Sequence, residues 1–225
     1  MAHSRRYLES RPKVDSQRQY PLGEAVQVLK SLRPARFDET VEVAVQLGID
    51  PKQTTQQVRG SVSLPHGIGK TVRVAVFATG EKAEEARQAG ADAVGGTDLI
   101  ERVEQGWMEF DVALAVPDMM RMLARLGRLL GPRGLMPTPK NGTVRDDIGD
   151  GVKEFKAGKV ELRNDSGGNV HAPVGRLSFT AEALEENVRE LLDHLMRMKP
   201  SGSKGKYVQR IVLSSTMGPG VSVIV

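Results

Sequence analysis

The chain has 225 residues, with 32 Lys/Arg against 28 Asp/Glu, a net charge of +4 and no cysteine. That length allows one or two domains, and the missing cysteine excludes disulfides, thiolate metal sites and a cysteine nucleophile. No run approaches the roughly 18 apolar residues of a membrane span, and the start carries Glu9 and Asp15 with no apolar stretch, so the expectation is a cytoplasmic protein with no membrane partner.

In chain order, Pro21–Leu32 sets Leu22, Ala25, Val26, Leu29 and Leu32 at helical spacing and is closed by Pro34. Glu39–Gly48 alternates Val41, Val43, Val45 and Leu47 with polar neighbours, a half-buried strand, and Gln56–Leu64 gives a further extended run. The middle changes character. Val72–Ala78 reads as a buried strand, Glu81–Gln88 as a helix, Ala91–Val94 as a short strand, Asp98–Glu104 as a helix, Phe110–Val116 as a strand and Met119–Leu130 as a helix. Alternation of that kind with short loops predicts a small parallel α/β (Rossmann-like) domain.

Beyond Gly149 the pattern reverts. Gly158–Leu162 and Arg176–Phe179 read as strands, and Thr180 caps an amphipathic helix over Ala181–Met198. Tyr207–Ser215 and Val221–Val225 complete the set as strands around the turn SSTMGPG. The expected fold is therefore an α+β domain built from both chain ends, residues 1–67 and 159–225, interrupted by an inserted α/β domain over 68–158. The chain would cross twice between them, near 65–70 and 156–160, and such a two-strand connection permits hinge motion.

Basic charge is concentrated in three segments. Met1–Arg36 has a net charge of +5, Met119–Arg145 +6 and His194–Val225 +5, leaving −12 on the remainder. Such clustering is the electrostatic footprint of a polyanion, usually nucleic acid. The Leu130–Val144 segment, LGPRGLMPTPKNGTV, holds three Gly, three Pro, two basic residues and no acid, His or Cys. It is a rigid, shaped cationic loop without groups for proton transfer, whose two readings are an RNA contact and a hinge brace, the second preferred.

Catalytic signatures fail on inspection. LPHGIGKT ends like a phosphate loop, but Leu64 stands where Gly is required and a strand follows where a helix is needed. FATGEKAEEA lacks the dinucleotide fingerprint, so no cofactor is expected. His3, His66, His171 and His194 show no metal or triad spacing. The Met/Leu-rich Met119–Leu130 helix is expected to pack on its own sheet with Arg121, Arg125 and Arg128 exposed.

Two loops remain as candidate RNA surfaces. Arg36-Phe37-Asp38-Glu39-Thr40 offers an aromatic before a strand, and Ser214–Gly220 offers hydroxyls, a Met and free backbone groups. Small polar loops suit the shallow minor groove of structured RNA, where 2′-hydroxyls and phosphates are read by shape. Nine aromatics in the whole chain disfavour a stacking platform for single strands.

The segments FDETVEVAVQLGIDP, QQVRGSVSLPHGIGKTVRVAVFA, LGRLLGPRGLMPTPKNGTV, KAGKVELRNDSGGNVHAPVGRLSF and SSTMGPG occur in the order typical of the ribosomal protein L-one family, and the chain resembles that family from about Tyr7 to Val225. The resemblance implies a non-enzymatic constituent of the large ribosomal subunit, present as a monomer within the ribosome. It would bind rRNA of the mobile stalk, assist release of deacylated tRNA at the exit site, and repress translation by binding its own operon mRNA. The resemblance also implies an RNA surface made of Phe37, Thr40, Thr216, Met217 and Gly218, bordered by Glu24, with Arg36 and Ser214 beside it and Asp165, Ser166 and Gly168 in a further turn. One departure stands out: the family pattern has Asp-Lys, a small residue and Gly, whereas this chain reads Asp165-Ser166-Gly167-Gly168 and carries Arg176 where Lys is common. Loss of one phosphate contact would lower the salt dependence of RNA binding by about one unit of slope.

Overall fold

The computed structural model describes residues 4–224; His3 and the last residue of the expected Val221–Val225 strand lie outside that range. The chain divides into two compact units, residues up to Gly69 with those from Val160 onward, and Lys70–Lys159 between them.

The first unit opens with helix α1 (Arg5–Ser10), whose N-cap Ser4 hydroxyl accepts from the Tyr7 N–H, and helix α2 (Leu22–Ser31), entered through Pro21. Strand β1 (Thr40–Leu47) and strand β2 (Arg59–Ser63) follow. Inside the second unit come β3 (Val74–Phe77), α3 (Glu81–Gln88), β4 (Ala93–Gly95), α4 (Thr97–Glu104) and β5 (Val112–Ala115). The strands form a parallel sheet in the order β4-β3-β5. It is the α/β insertion that the alternating pattern predicts.

The expected third helix is present but broken. A 3-10 turn at Pro117–Met119 leads into α5 (Met120–Leu123), a second 3-10 turn at Ala124–Leu126, and α6 (Gly127–Leu130). Met119, Leu123, Leu126 and Leu130 are buried and Arg121, Arg125 and Arg128 are exposed. The GPRGLMP loop folds back on its own unit. Val144 bridges Ala115 in parallel, Pro137 is buried, and the Thr143 hydroxyl accepts from the Thr138 N–H at 2.8 Å and donates to its carbonyl at 3.0 Å. Helix α7 (Ile148–Ala157), absent from the sequence-based reading, completes the unit. Its glycines have packing reasons: a Cβ on Gly149 would lie 2.7 Å from the Glu85 carboxylate, and one on Gly151 would lie 3.0 Å from Arg145 Cδ.

Back in the first unit, β6 (Lys159–Arg163) pairs with β2, and β7 (Asn169–Arg176), helix α8 (Ala181–Arg197), β8 (Val208–Ser215) and β9 (Val221–Val223) follow. The antiparallel sheet runs β7-β1-β8-β9. Residues 177–179, expected as a strand, instead form the turn into α8, and the strand lies upstream. Pro173 and Gly175 mask that strand in the sequence. The fold admits Pro173 because β7 is an edge strand, and the register slips between Val41 and Glu42 opposite it. The Thr180 hydroxyl accepts from the Ala183 N–H at 3.2 Å, as the cap requires.

One face of this sheet is covered by α2 and α8 through Val26, Leu29, Leu184, Val188, Leu191 and Leu195, all buried with Val41, Val43, Val45 and Leu47. Burial of each such side chain contributes about 1.5–3 kcal/mol. The other face is open.

Candidate nucleic-acid interface

The strand period sets what the open face presents. Val41, Val43, Val45 and Leu47 point to the core, so Glu42, Ala44 and Gln46 of β1 point away from it. Register brings Pro173 and Ser214 beside Glu42, His171 and Val212 beside Ala44, and Asn169 and Arg210 beside Gln46. This is a small, mixed-polarity surface without a large aromatic.

At the Thr40 end, the two candidate loops are joined by one carboxylate. Glu39 lies in phase with the inward-facing valines, and its side chain is fully buried. Its Oε1 accepts from the Ala35 N–H at 2.5 Å and from Arg6 of α1 at 2.9 Å, and its Oε2 accepts from the Met217 N–H at 2.9 Å. Arg6 also donates to the carbonyls of Met217 (3.0 Å) and Arg33 (3.2 Å). Burial opposes the charge on Glu39, but the Met217 N–H, the Ser215 hydroxyl, the Ala35 N–H and Arg6 outweigh it and hold the carboxyl below its ordinary value.

A second stitch lies beside it. The Thr216 hydroxyl accepts from the Thr40 N–H at 3.0 Å and reaches the Thr40 carbonyl at 3.3 Å, while the Thr216 N–H donates to that carbonyl at 3.0 Å. Gly218 closes the turn with its N–H on the Ser215 carbonyl at 3.1 Å. A Cβ on Gly218 would sit 2.5 Å from the Ser215 hydroxyl, so only glycine fits without movement. Pinned in this way, Phe37 and Met217 remain 54% and 51% exposed. Both are exposed apolar groups on loops whose backbones are fixed by hydrogen bonds.

The surroundings are cationic. An open cleft of about 640 Å³ between α1 and the two loops is lined by Arg5, Arg6, Arg33, Arg36, Phe37 and Met217, among others. Arg33 is paired with Glu9 at 2.7 Å, while Arg5 and Arg36 are exposed and hold no ion pair among the described residues.

The Asp165–Gly168 turn lies at the opposite end of β1, where the Leu47 N–H donates to the Gly168 carbonyl at 3.0 Å. The strand between spans about 23 Å, so the sequence-derived residues form two separate clusters. Asp165 Oδ1 accepts from the N–H groups of Asn169 (2.7 Å) and Gly167 (2.8 Å), and the Asn169 N–H chiefly lowers its pKa. Its carboxylate thus shapes the turn while its side chain stays exposed. Gly168 has φ +79° and is the glycine that turn requires. Ser166 is exposed beside Arg59, Arg163 and Asn164, which line a cavity of about 290 Å³ with it.

Ser214 lies on the open face opposite Glu42, between the two clusters. Glu24 joins neither. It lies in the first turn of α2, paired with Arg18 at 2.8 Å, whereas Leu32, at the C-cap of that helix, is the residue beneath Gly218. Arg176 donates to the Asp38 carbonyl at 2.9 Å and braces the Phe37 loop.

Two residues of the site escape the motif reading, Arg6 and Glu39. A signal for Glu39 exists in the sequence, since it continues the inward phase of Val41, Val43 and Val45 and an acid there must find partners. The sequence holds no comparable signal for Arg6. Elsewhere, His66 pairs with Glu186 at 2.6 Å, and buried Asn187 of α8 ties the LPHGIGKT turn through the His66 N–H (3.1 Å) and the Gly67 carbonyl (3.0 Å). That turn is structural. Among the described residues no cluster of His, Asp and Glu could hold a metal ion, and no helix is long and apolar enough to cross a membrane.

The sequence profile of the ribosomal protein L1p/L10e family matches residues 29–219. The chain belongs to that family. A protein of Kosmotoga olearia called large ribosomal subunit protein uL1 is 52% identical over 218 residues, covering 97% of this chain and 94% of the relative. Proteins of the same name from Thermosipho melanesiensis and Thermosipho africanus are 52% and 51% identical over 222 residues, each covering 98% of this chain and 96% of the relative. Family membership makes the chain a ribosomal protein type rather than an enzyme, so the site is read for RNA contact and not for chemistry.

Proposed function

We propose that the protein is a structural constituent of the large ribosomal subunit that grips rRNA of the mobile stalk through the Phe37–Met217 end of its first unit. The observation that carries this reading is the pinning of the 35–40 and 215–218 loops on the buried Glu39 carboxylate, which holds Phe37 and Met217 exposed beside the arginine-lined cleft. A preformed surface of that kind recognises a folded RNA by shape, with Arg5 and Arg36 available to phosphates. The Asp165–Gly168 turn supplies a second, weaker contact through Ser166 and the arginines beside it. The family resemblance adds assistance in release of exit-site tRNA, with the two chain crossings near 65–70 and 156–160 as hinge, and repression through an operon mRNA of similar fold.

Binding of the full chain to the stalk rRNA fragment across a salt series, with unrelated duplex RNA as competitor, tests the reading. Tight binding that survives competitor supports it. Equal collapse on both RNAs would reduce the basic segments to a polyanion sink and remove the site.

A further inference from the structure

The second unit shows an imbalance in how its positive charges are neutralised. Of its fourteen lysines and arginines, eight hold an ion pair with an acid of the same unit. Of the six that do not, Arg102 lies over the Trp107 ring at 4.7 Å, and the other five fall between Arg121 and Lys140. On α3 and α7 of this unit the basic residues find acids, either three residues earlier (Arg87 with Glu84, Lys153 with Asp150) or across the fold (Lys82 with Asp146, Lys156 with Asp92). In the Met119–Leu130 segment Arg125 and Arg128 have no acid at i−3 or i−4, and Asp118, three residues before Arg121, forms no ion pair with it among the described residues. Arg121, Arg125 and Arg128 follow one another at spacings of four and three, all exposed, with no hydrogen bond or ion pair among the described residues.

That spacing puts three like charges on one stripe, opposite the buried stripe of Met119, Leu123, Leu126 and Leu130. Like charges at i, i+4 oppose each other, and the nearest acid in the sequence is Asp118. Such a stripe, with no acid to balance it, is electrostatically complementary to an external polyanion. Its composition selects the kind: all three are arginines, whose planar fork grips phosphate in two hydrogen bonds, where a point charge would serve a diffuse acidic surface.

We propose that Arg121, Arg125 and Arg128 form a second RNA-contacting surface, gripping backbone phosphates of a duplex separate from the RNA held by the first unit. The choice of RNA among polyanions rests on the ribosomal reading above; the stripe itself does not depend on the Phe37–Met217 site. The stripe is about 10 Å long along the helical segment and makes up to three phosphate contacts. It reads no sequence, because three exposed arginines on a helix flank carry no base-edge geometry.

The test uses the full chain saturated with unlabelled stalk rRNA fragment, titrated with a labelled, unrelated RNA duplex over a salt series. The R121Q/R125Q/R128Q variant is compared with wild type and with K82Q/R87Q/K153Q, which removes equal charge from paired positions. The stripe variant is expected to bind duplex about tenfold or more weakly, with a salt slope lower by roughly two to three units, while the control stays within about twofold. Both should keep wild-type melting temperature and affinity for the stalk fragment. Equal losses in both variants, or none in either, would overturn the proposal, as would retention on anionic lipid vesicles that duplex RNA does not displace. Should the wild type fail to bind the stalk fragment, the first-unit reading falls, and duplex titration of the free protein still decides the stripe.

Discussion

The two ends of β1 use an acid in opposite ways. At the Thr40 end, Glu39 is buried and holds together three separate parts of the chain: α1 through Arg6, the loop before β1 through Ala35, and the loop after β8 through Met217. At the Leu47 end, Asp165 is exposed and closes its own turn on Gly167 and Asn169, with His171 of β7 3.9 Å away. Glu39 lies beneath the candidate RNA residues and is closed to solvent, whereas Asp165, itself a candidate, shapes its turn and stays exposed. The lesson is that an acid within a candidate binding loop can be there to shape the surface, and that burial decides how much depends on it.

The comparison is broken most forcefully at Glu39. Glu39→Ala leaves the Ala35 and Met217 N–H groups and Arg6 without their acceptor, and the expected loss is about 3 kcal/mol by urea unfolding, at the low end for a buried pair because Arg6 retains some access to water. A loss indistinguishable from zero would mean the carboxylate is not the hub. Thr216→Val removes the acceptor of the Thr40 N–H, and we expect about 1 kcal/mol in the same assay. Because the hydroxyl is turned to Thr40, any effect of this change on the proposed RNA binding would come through loop geometry, so Met217→Ala is the cleaner probe of contact.

Acid titration sharpens the contrast further. Glu39 is held below its ordinary value of 4.5, so its contribution is present above about pH 4.5 and lost as pH falls through the lower folded value. Asp111 in the second unit, held first by Lys70 and also by Arg73, is lowered from 3.8 to about 2, so its contribution is lost between those values. Glu39→Gln should remove the first part of the acid dependence and Asp111→Asn the second, as followed by thermal melts from pH 6 to pH 2; identical profiles in wild type and variants would refute both assignments. The smallest effect is expected from Asp165→Asn, whose melting temperature should fall less than that of Thr216→Val, since the turn is exposed and Asn can still accept one of its N–H donors.

Much of the fold is legible in the sequence because period and burial agree there. β1 alternates cleanly, and α8 carries a capping Thr180 and a continuous apolar stripe. What is illegible has local causes that tertiary contacts override. Gly149 and Gly151 disguise α7 as a loop, though each is small to admit Glu85 or Arg145. Pro173 and Gly175 disguise β7, which tolerates them at a sheet edge. The motif loops of the candidate site are legible as Phe37, Thr40, Thr216, Met217 and Gly218. Their attachment is not, because Arg6 and Met217 are 211 positions apart and only the fold brings them together. The motif also groups Asp165 and Ser166 with Phe37, although the length of β1 separates them.

The central claim is that Phe37 and Met217, held exposed by Glu39, make the specific RNA contact. The affinity of the Phe37→Ala/Met217→Ala double variant for the stalk rRNA fragment at fixed salt, with its melting temperature recorded alongside, tests this most directly. The account predicts binding weaker by about tenfold or more, near 1.4 kcal/mol, with an unchanged melting temperature and unchanged salt slope. Wild-type affinity in the double variant would contradict it.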